Sequence, residues 1–197
     1  MPDAPALHAW VDESMHPCGG GLAEGIYLLA ATIAAPAECD RIRWDLRELL
    51  IGRNERLHWR DETAERRRQI AAAIGSLELV HTVVVGAPLD EHKQERARRL
   101  CMELLLIELD RCGVRQVWVE SRKATQNSRD LRMLDAVRNK GVIGAGLHLD
   151  FALPKAEPML WLPDAVAGAV GLAHRHEDLQ PRDLLGDKVI ELRRLLT

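Results

Sequence analysis

The sequence predicts one mixed α/β domain, and three observations carry that prediction. Short apolar runs rich in Val, Ile and Leu are followed by helical stretches whose apolar residues recur every three or four positions. Two such runs come first, back to back, before any helix. No linker, repeat or low-complexity segment divides the 197 residues, of which 47% are hydrophobic, enough for a core of ordinary size.

"LHAWVDE" is the first expected strand. Gly19, Gly20 and Gly21 mark a turn, and "GIYLLAATIA" is a second, almost wholly buried strand, so the pair makes a hairpin. "AECDRIRWDLRELLI" puts Ile42, Leu46, Leu49 and Leu50 on one helical face, and "DETAERRRQIAAAI" is a further helical segment. Together they form a helical insertion at about residues 37–75, with the polar stretch "RLHWRD" between them. "LELVHTVVVG" is the third strand, and Pro88 and Asp90 separate it from a helix at about residues 91–112 that Gly113 stops. "VRQVWVES" is the fourth strand. A helix with Leu131, Leu134 and Val137 on one side follows it, ending at Gly141. "GLHLDFAL" is the fifth strand, and "MLWLPDAVAGAVGLAHRHED" is a small-residue helix with Pro163 near its start. An amphipathic helix at about residues 182–196 closes the chain. The expected fold is a five-stranded mixed sheet flanked by helices, with all 197 residues in one domain.

Charge and cysteine usage narrow the function. A formal net charge of −3 means that any polyanion surface must be local. The four cysteines lie far apart, without the close pairs of zinc ribbons or redox motifs, and are expected as reduced thiols. The N-terminal stretch carries an acid where a secretory leader carries bases, and the longest apolar run is too short to cross a bilayer. A cytoplasmic protein, free of the membrane, is expected.

Acids at strand ends are the chemical signal. Asp12 closes the first strand and Glu120 the fourth. If those strands are parallel neighbours, the two carboxylates converge outside the sheet, where α/β folds place their sites. Carboxylates held close repel unless a cation lies between them, and a divalent ion with hard-oxygen preference is the usual solution. Asp164 is a lone charge in an apolar helix and supplies a third acid. It has two compatible readings, metal ligand or N-terminal cap just after Pro163. For Asp12 and Glu120 the plain alternatives are a solvated strand end and an exposed turn. Glu13, alternating with Asp12 along the strand, should point to the opposite face and make a secondary contact.

These segments resemble a known family. "WVDES" with its glycine-bearing loop and "YLLAATIA", the mid-chain "LHWRD" and the late "LPDAVAGAV" are similar to the family catalogued as domain of unknown function 3800, over about residues 7–174. The resemblance implies a ribonuclease H-like fold with acids on strand one, at the end of strand four and on the last helix. Asp12 and Asp164 match by motif. Glu120 matches by its place in the order, where many relatives carry aspartate. The resemblance further implies Mg²⁺ or Mn²⁺ on Asp12, Glu120 and Asp164, and metal-assisted phosphodiester hydrolysis without a side-chain nucleophile.

Several residues keep more than one reading. His58 could reach the site as a proton-transfer group or serve the local turn, while Asp61 reads first as the N-cap of the helix that follows. His174 could assist acid/base work or product release, although a histidine at a helix end more often meets the helix carbonyls. A zinc site from His16, Cys18, His174 and His176 lacks a recognised spacing. Basic clusters are usually solvated faces, but Arg122 and Lys123 directly follow Glu120, so with Asn127 and Arg129 they are the expected nucleic-acid contacts. Trp10, Trp118 and Trp161 are expected in the core, and Trp44 and Trp59 in the insertion could be exposed.

The reading is therefore a metal-dependent nuclease acting on nucleic acid. The rivals are a non-catalytic interaction module that binds a partner or forms a homodimer, and another metal-dependent phosphoryl-transfer hydrolase acting on a nucleotide or small phosphate ester.

Overall fold

In the computed structural model, which describes residues 6–197, the first two strands form the expected hairpin. β1 (Leu7–His16) and β2 (Ile26–Ala34) pair antiparallel, from His8 opposite Ala34 to His16 opposite Ile26. The beginning of the N-terminal stretch considered above as a leader, residues 1–5, lies outside the described residues.

The remaining elements follow as α1 (Cys39–Glu48), α2 (Ala64–Ser76), β3 (Val80–Ala87), α3 (Gln94–Arg111), β4 (Val114–Glu120), α4 (Ala124–Asn139), β5 (His148–Ala152), α5 (Trp161–His174), α6 (Gln180–Leu185) and β6 (Val189–Leu195). The strand order is β5-β4-β1-β2-β3-β6. β2 pairs antiparallel with β1 and β3, whereas β4 joins β1, β5 joins β4 and β6 joins β3 in parallel. The parallel pairing of β1 with β4 is the one on which convergence of Asp12 and Glu120 depends.

Two cores sandwich the sheet, because alternate residues of each strand face opposite sides. On one side Trp10, Leu28, Ala30 and Val83 meet the apolar face of α5, with α1, α2 and α6 around it. On the other, Ala9, Val11, Leu29 and Val84 meet Leu105, Leu106 and Leu109 of α3 and Leu134 and Val137 of α4. β2 lies between both layers, and all nine of its residues are buried. That double burial explains why its sequence reads as a continuous apolar run instead of an alternation.

The sheet has six strands, not five, and the difference lies at the C-terminus. The helix expected at about residues 182–196 is instead the short α6, ended by Gly186 at φ +67°, and then the strand β6. Val189, Leu192 and Leu196 have helical spacing, compatible with the expected helix. As a strand the same residues split, with Val189 packing on the α5 side and Leu192 and Leu196 on the α3 side. Tertiary context decides the conformation: the outer edge of β3 would leave a row of unpaired backbone groups, and β6 pairs with it from His81–Val189 to Ala87–Leu195.

The insertion also differs in detail. α2 begins at Ala64, and its cap is Thr63, whose hydroxyl accepts from the Arg66 N–H at 3.3 Å. Asp61, expected to cap it, belongs to a separate 3-10 turn, Trp59–Asp61. Trp59 is buried and Trp44 is exposed. None of the described helices is long and apolar enough to cross a membrane.

Candidate active site

The sheet and α5 bring the three sequence-predicted acids together. In the parallel β1–β4 pair Trp10 stands opposite Trp118 and Val11 opposite Val119, so Asp12 and Glu120 occupy the next step of adjacent strands. Glu120 ends β4 as expected, whereas β1 runs on to His16 paired with β2, so Asp12 lies within its strand, where the pairing with β4 stops. Both point to the α5 side, on the alternation that buries Trp10 there. Asp164 enters from the first turn of α5, which crosses β1. All three carboxylates line one cavity of 160 Å³, together with Arg56 and His58.

Electrostatics record the crowding. Burial pushes the Asp12 carboxyl well above the usual carboxylate range, and the charges of Asp164 and Glu120 push it in the same direction. Glu120 is also raised, chiefly by burial, with Asp12 close enough to share a proton with it and Arg56 opposing the rise. A half-buried carboxylate pair held this close either takes up a proton or takes up a cation.

Each aspartate has one oxygen already held. The Glu13 N–H donates to Oδ1 of Asp12 at 2.7 Å. Oδ2 of Asp164 accepts the Trp59 N–H at 2.9 Å and stands 3.1 Å from Nδ1 of His58. The Asp164 partnership raises the His58 pKa. Asp164 does not cap its own helix, because the cap position is Leu160 and carries no side-chain bond. It anchors the "LHW" segment of the insertion instead. This is the link that the sequence did not disclose.

Small residues in α5 make that link possible. A Cβ on Gly168 would stand 2.0 Å from Cδ1 of Trp59, and one on Gly171 would stand 2.4 Å from Nε2 of His16. Glycine at these two positions lets the insertion and the end of β1 lie directly on the helix.

The remaining expected residues are placed differently. Glu13 does point away from Asp12, and on the far side of the sheet it accepts from the Tyr27 hydroxyl and Arg98. Arg98 is buried and forms a bidentate pair with Asp130 at 3.2 and 2.8 Å. Arg122 joins the same network through Asp130 at 3.2 Å and Glu95 at 2.9 Å, so its charge is already committed. Asn127 braces the turn after Glu120, its Oδ1 accepting the Arg122 N–H at 2.9 Å and its amide donating to Ser121 at 3.1 Å. Lys123 starts α4, and Arg129 stands 3.9 Å from Glu95. The tract expected to meet nucleic acid thus largely supports Glu120 and the back of β1. Asp61 lines a neighbouring cavity that contains none of the three acids but shares Arg56 and His58 with theirs. His174 pairs with Glu191 of β6 at 2.9 Å and lines another cavity, one that contains none of the three acids.

Among the described residues no three acids, histidines or cysteines surround a common point in metal-ligand geometry. The donor set nevertheless fits a hard divalent cation, because three carboxylates share one cavity and the most buried is strained toward protonation. Without a cation between them, like charges lower their repulsion by turning apart or by sharing a proton.

The likeness to known proteins lies in the backbone fold. No family model matches the chain, and no curated protein matches it. Solved structures do. The ribonuclease HII of Archaeoglobus fulgidus, solved in complex with PCNA, superposes with a TM-score of 0.53 at 19% identity, covering 87% of this chain and 77% of that one. The fold is ribonuclease H-like. A ribonuclease HIII solved with Mn²⁺, from the source abbreviated Bst, gives a TM-score of 0.52 at 18% identity. The match covers 86% of this chain but 53% of that one, so this chain spans about half its length.

Proposed function

We propose that this chain is a metal-dependent nuclease that hydrolyses phosphodiester bonds in nucleic acid. The observation that carries the proposal is the meeting of Asp12, Glu120 and Asp164, from β1, β4 and α5, around one cavity in a ribonuclease H-like fold. The motif strings that resemble domain of unknown function 3800 include two of those three acids.

These three carboxylates would hold Mg²⁺ or Mn²⁺. When bound, such an ion supplies Lewis-acid polarisation of the phosphoryl group and activation of water. The chain's own contribution is orientation. The Glu13 N–H fixes one oxygen of Asp12, which also stands close enough to Glu120 to share a proton. The Trp59 N–H and His58 fix one oxygen of Asp164, leaving its other oxygen without a hydrogen bond from the described residues. Glu120 is placed by strand pairing, with Val119 bonded in register to Val11 on one side and Glu120 itself paired with Ala152 of β5 on the other. Asn127 locks the turn that follows. This orientation lowers the reorganisation needed at the moment of reaction.

The test is cleavage of labelled RNA, DNA and hybrid substrates with Mg²⁺ or Mn²⁺, alongside Mn²⁺ titration calorimetry. Asp12→Asn and Asp164→Asn should each reduce cleavage by about 10³-fold or more, equivalent to about 4 kcal/mol of barrier, and weaken Mn²⁺ binding while the fold persists. Cleavage that survives both substitutions places the activity elsewhere. Mn²⁺ binding without cleavage of any substrate favours a binding module on the same fold.

A further inference from the structure

The cavities around the acids contain six arginines, and four of them are committed. Arg98 and Arg122 belong to the network around Asp130. Arg67 donates to the carbonyls of Trp59 and Arg60 at 3.0 Å and lies over the Trp59 ring, and Arg175 pairs with Glu177 at 2.9 Å. Arg56 and Arg60 differ. Both are exposed, and neither guanidinium has an ion-pair or hydrogen-bond partner among the described residues.

Their positions follow from the segment "RLHWR". Leu57 and Trp59 are buried, His58 holds Asp164, and Arg56 and Arg60 stand outside at the two ends. Arg56 lines the 160 Å³ cavity with Asp12 and Glu120. Arg60 lines a different and larger groove of 500 Å³, which reaches Asp164 from the other side and runs along α5 toward Arg175. The anchored segment therefore presents, on each side of the acid centre, one cation without an ion-pair or hydrogen-bond partner among the described residues.

We propose that Arg56 and Arg60 bind the backbone phosphates on either side of the scissile one, so that the substrate is a polynucleotide strand lying across the centre instead of a mononucleotide or small phosphate ester. The inference rests on the nuclease reading and deepens it. Three acids around one cavity repel a polyanion, and two cations flanking them offset that repulsion on both arms of the strand. A small ester meets one arginine at a time, whereas a strand meets both. This part of the insertion becomes a substrate clamp, keyed to the centre through the bond between His58 and Asp164.

The experiment measures fluorescence anisotropy of short single-stranded RNA and DNA on Asp12→Asn protein, so that nothing is cut, across a salt series. Arg56→Gln and Arg60→Gln are each placed in that background, with Arg41→Gln on the exposed face of α1 as control and thermal melts to verify folding. Each clamp substitution should weaken binding by about 3- to 10-fold and make the slope of log K against log salt shallower by about 0.7, the two effects adding in the double variant. Arg41→Gln should leave both unchanged. Unchanged affinity and slope in Arg56→Gln and Arg60→Gln would overturn the inference, and the nuclease reading would stand if Asp12 still governs cleavage. Binding that depends on both arginines, with no cleavage by the wild-type chain, would keep the clamp and reject the nuclease. Failure of the wild-type sequence both to bind and to cleave would reject both.

Discussion

His81 contributes acid sensitivity to the fold, and the size of that contribution follows from its lowered pKa. The imidazole is fully buried beside β6, with Nδ1 at 2.9 Å from the Thr32 hydroxyl and Nε2 without a partner among the described residues. Burial lowers its pKa from 6.5 to about 4, and the charges of Lys188 and Arg182 act in the same direction. As pH falls, the unfolded chain takes up the proton first, so stability is fully present above 6.5 and is lost as pH falls toward about 4. A gap of about 2.5 pH units at about 1.4 kcal/mol each gives a ceiling of about 3 kcal/mol, of which about 2 kcal/mol is lost between about pH 7 and pH 5. Urea denaturation at closely spaced pH values measures this directly. His81→Asn keeps a polar contact toward Thr32 and cannot titrate. Its absolute stability will be lower because it is smaller, but its pH dependence in this window should be flatter by about 2 kcal/mol. A variant whose pH dependence parallels that of the wild type would refute the reasoning and shift the acid sensitivity to another group.

Three further outcomes are expected. Asp12→Asn should raise the melting temperature when no divalent cation is present, by about 2–4 °C for each kcal/mol of repulsion removed, and should abolish the stabilisation that Mn²⁺ gives the wild type, both readable by calorimetry. Arg98→Met leaves the half-buried Glu13 without its cation and the buried Asp130 with Arg122 alone, and should cost about 3–5 kcal/mol in urea denaturation, more than Asp130→Asn, which keeps an acceptor for the guanidinium. Gly168→Ala should displace Trp59 and with it the N–H that holds Asp164, lowering cleavage more than the destabilisation of about 1–3 kcal/mol typical of overpacking would explain.

Much of this architecture was legible in the chain because each signal was local. Apolar runs marked β1 to β5, glycines marked turns and helix ends, and Asp12 and Glu120 were informative once their strands were taken as parallel neighbours, although β1 continues past Asp12 to His16. What escaped was set by partners distant in sequence. Val189, Leu192 and Leu196 satisfy helical spacing and strand packing equally, and only the open edge of β3 selects the strand. Arg122 and Asn127 had the residue types of phosphate contacts, and the fold also gives them structural partners, Asp130 and Glu95 for Arg122 and Ser121 for Asn127, while Arg122 still lines a 260 Å³ cavity with the three acids.

The same logic explains why the small residues of α5 were hard to interpret from composition. "DAVAGAV" looked like an apolar helix with one misplaced acid, because the sequence shows what the helix lacks and not what fills the space. Gly168 makes room for Trp59, and Trp59 brings its own N–H and the neighbouring His58 to Asp164. One helix face therefore does two connected tasks, admitting the insertion and receiving the bonds that orient a carboxylate. Bulk at position 168 should for that reason act on the acid centre through a ring rather than through charge. The alternation that buries Leu57 and Trp59 leaves Arg56 and Arg60 outside, so the cations around the centre are fixed by the packing that fixes Asp164.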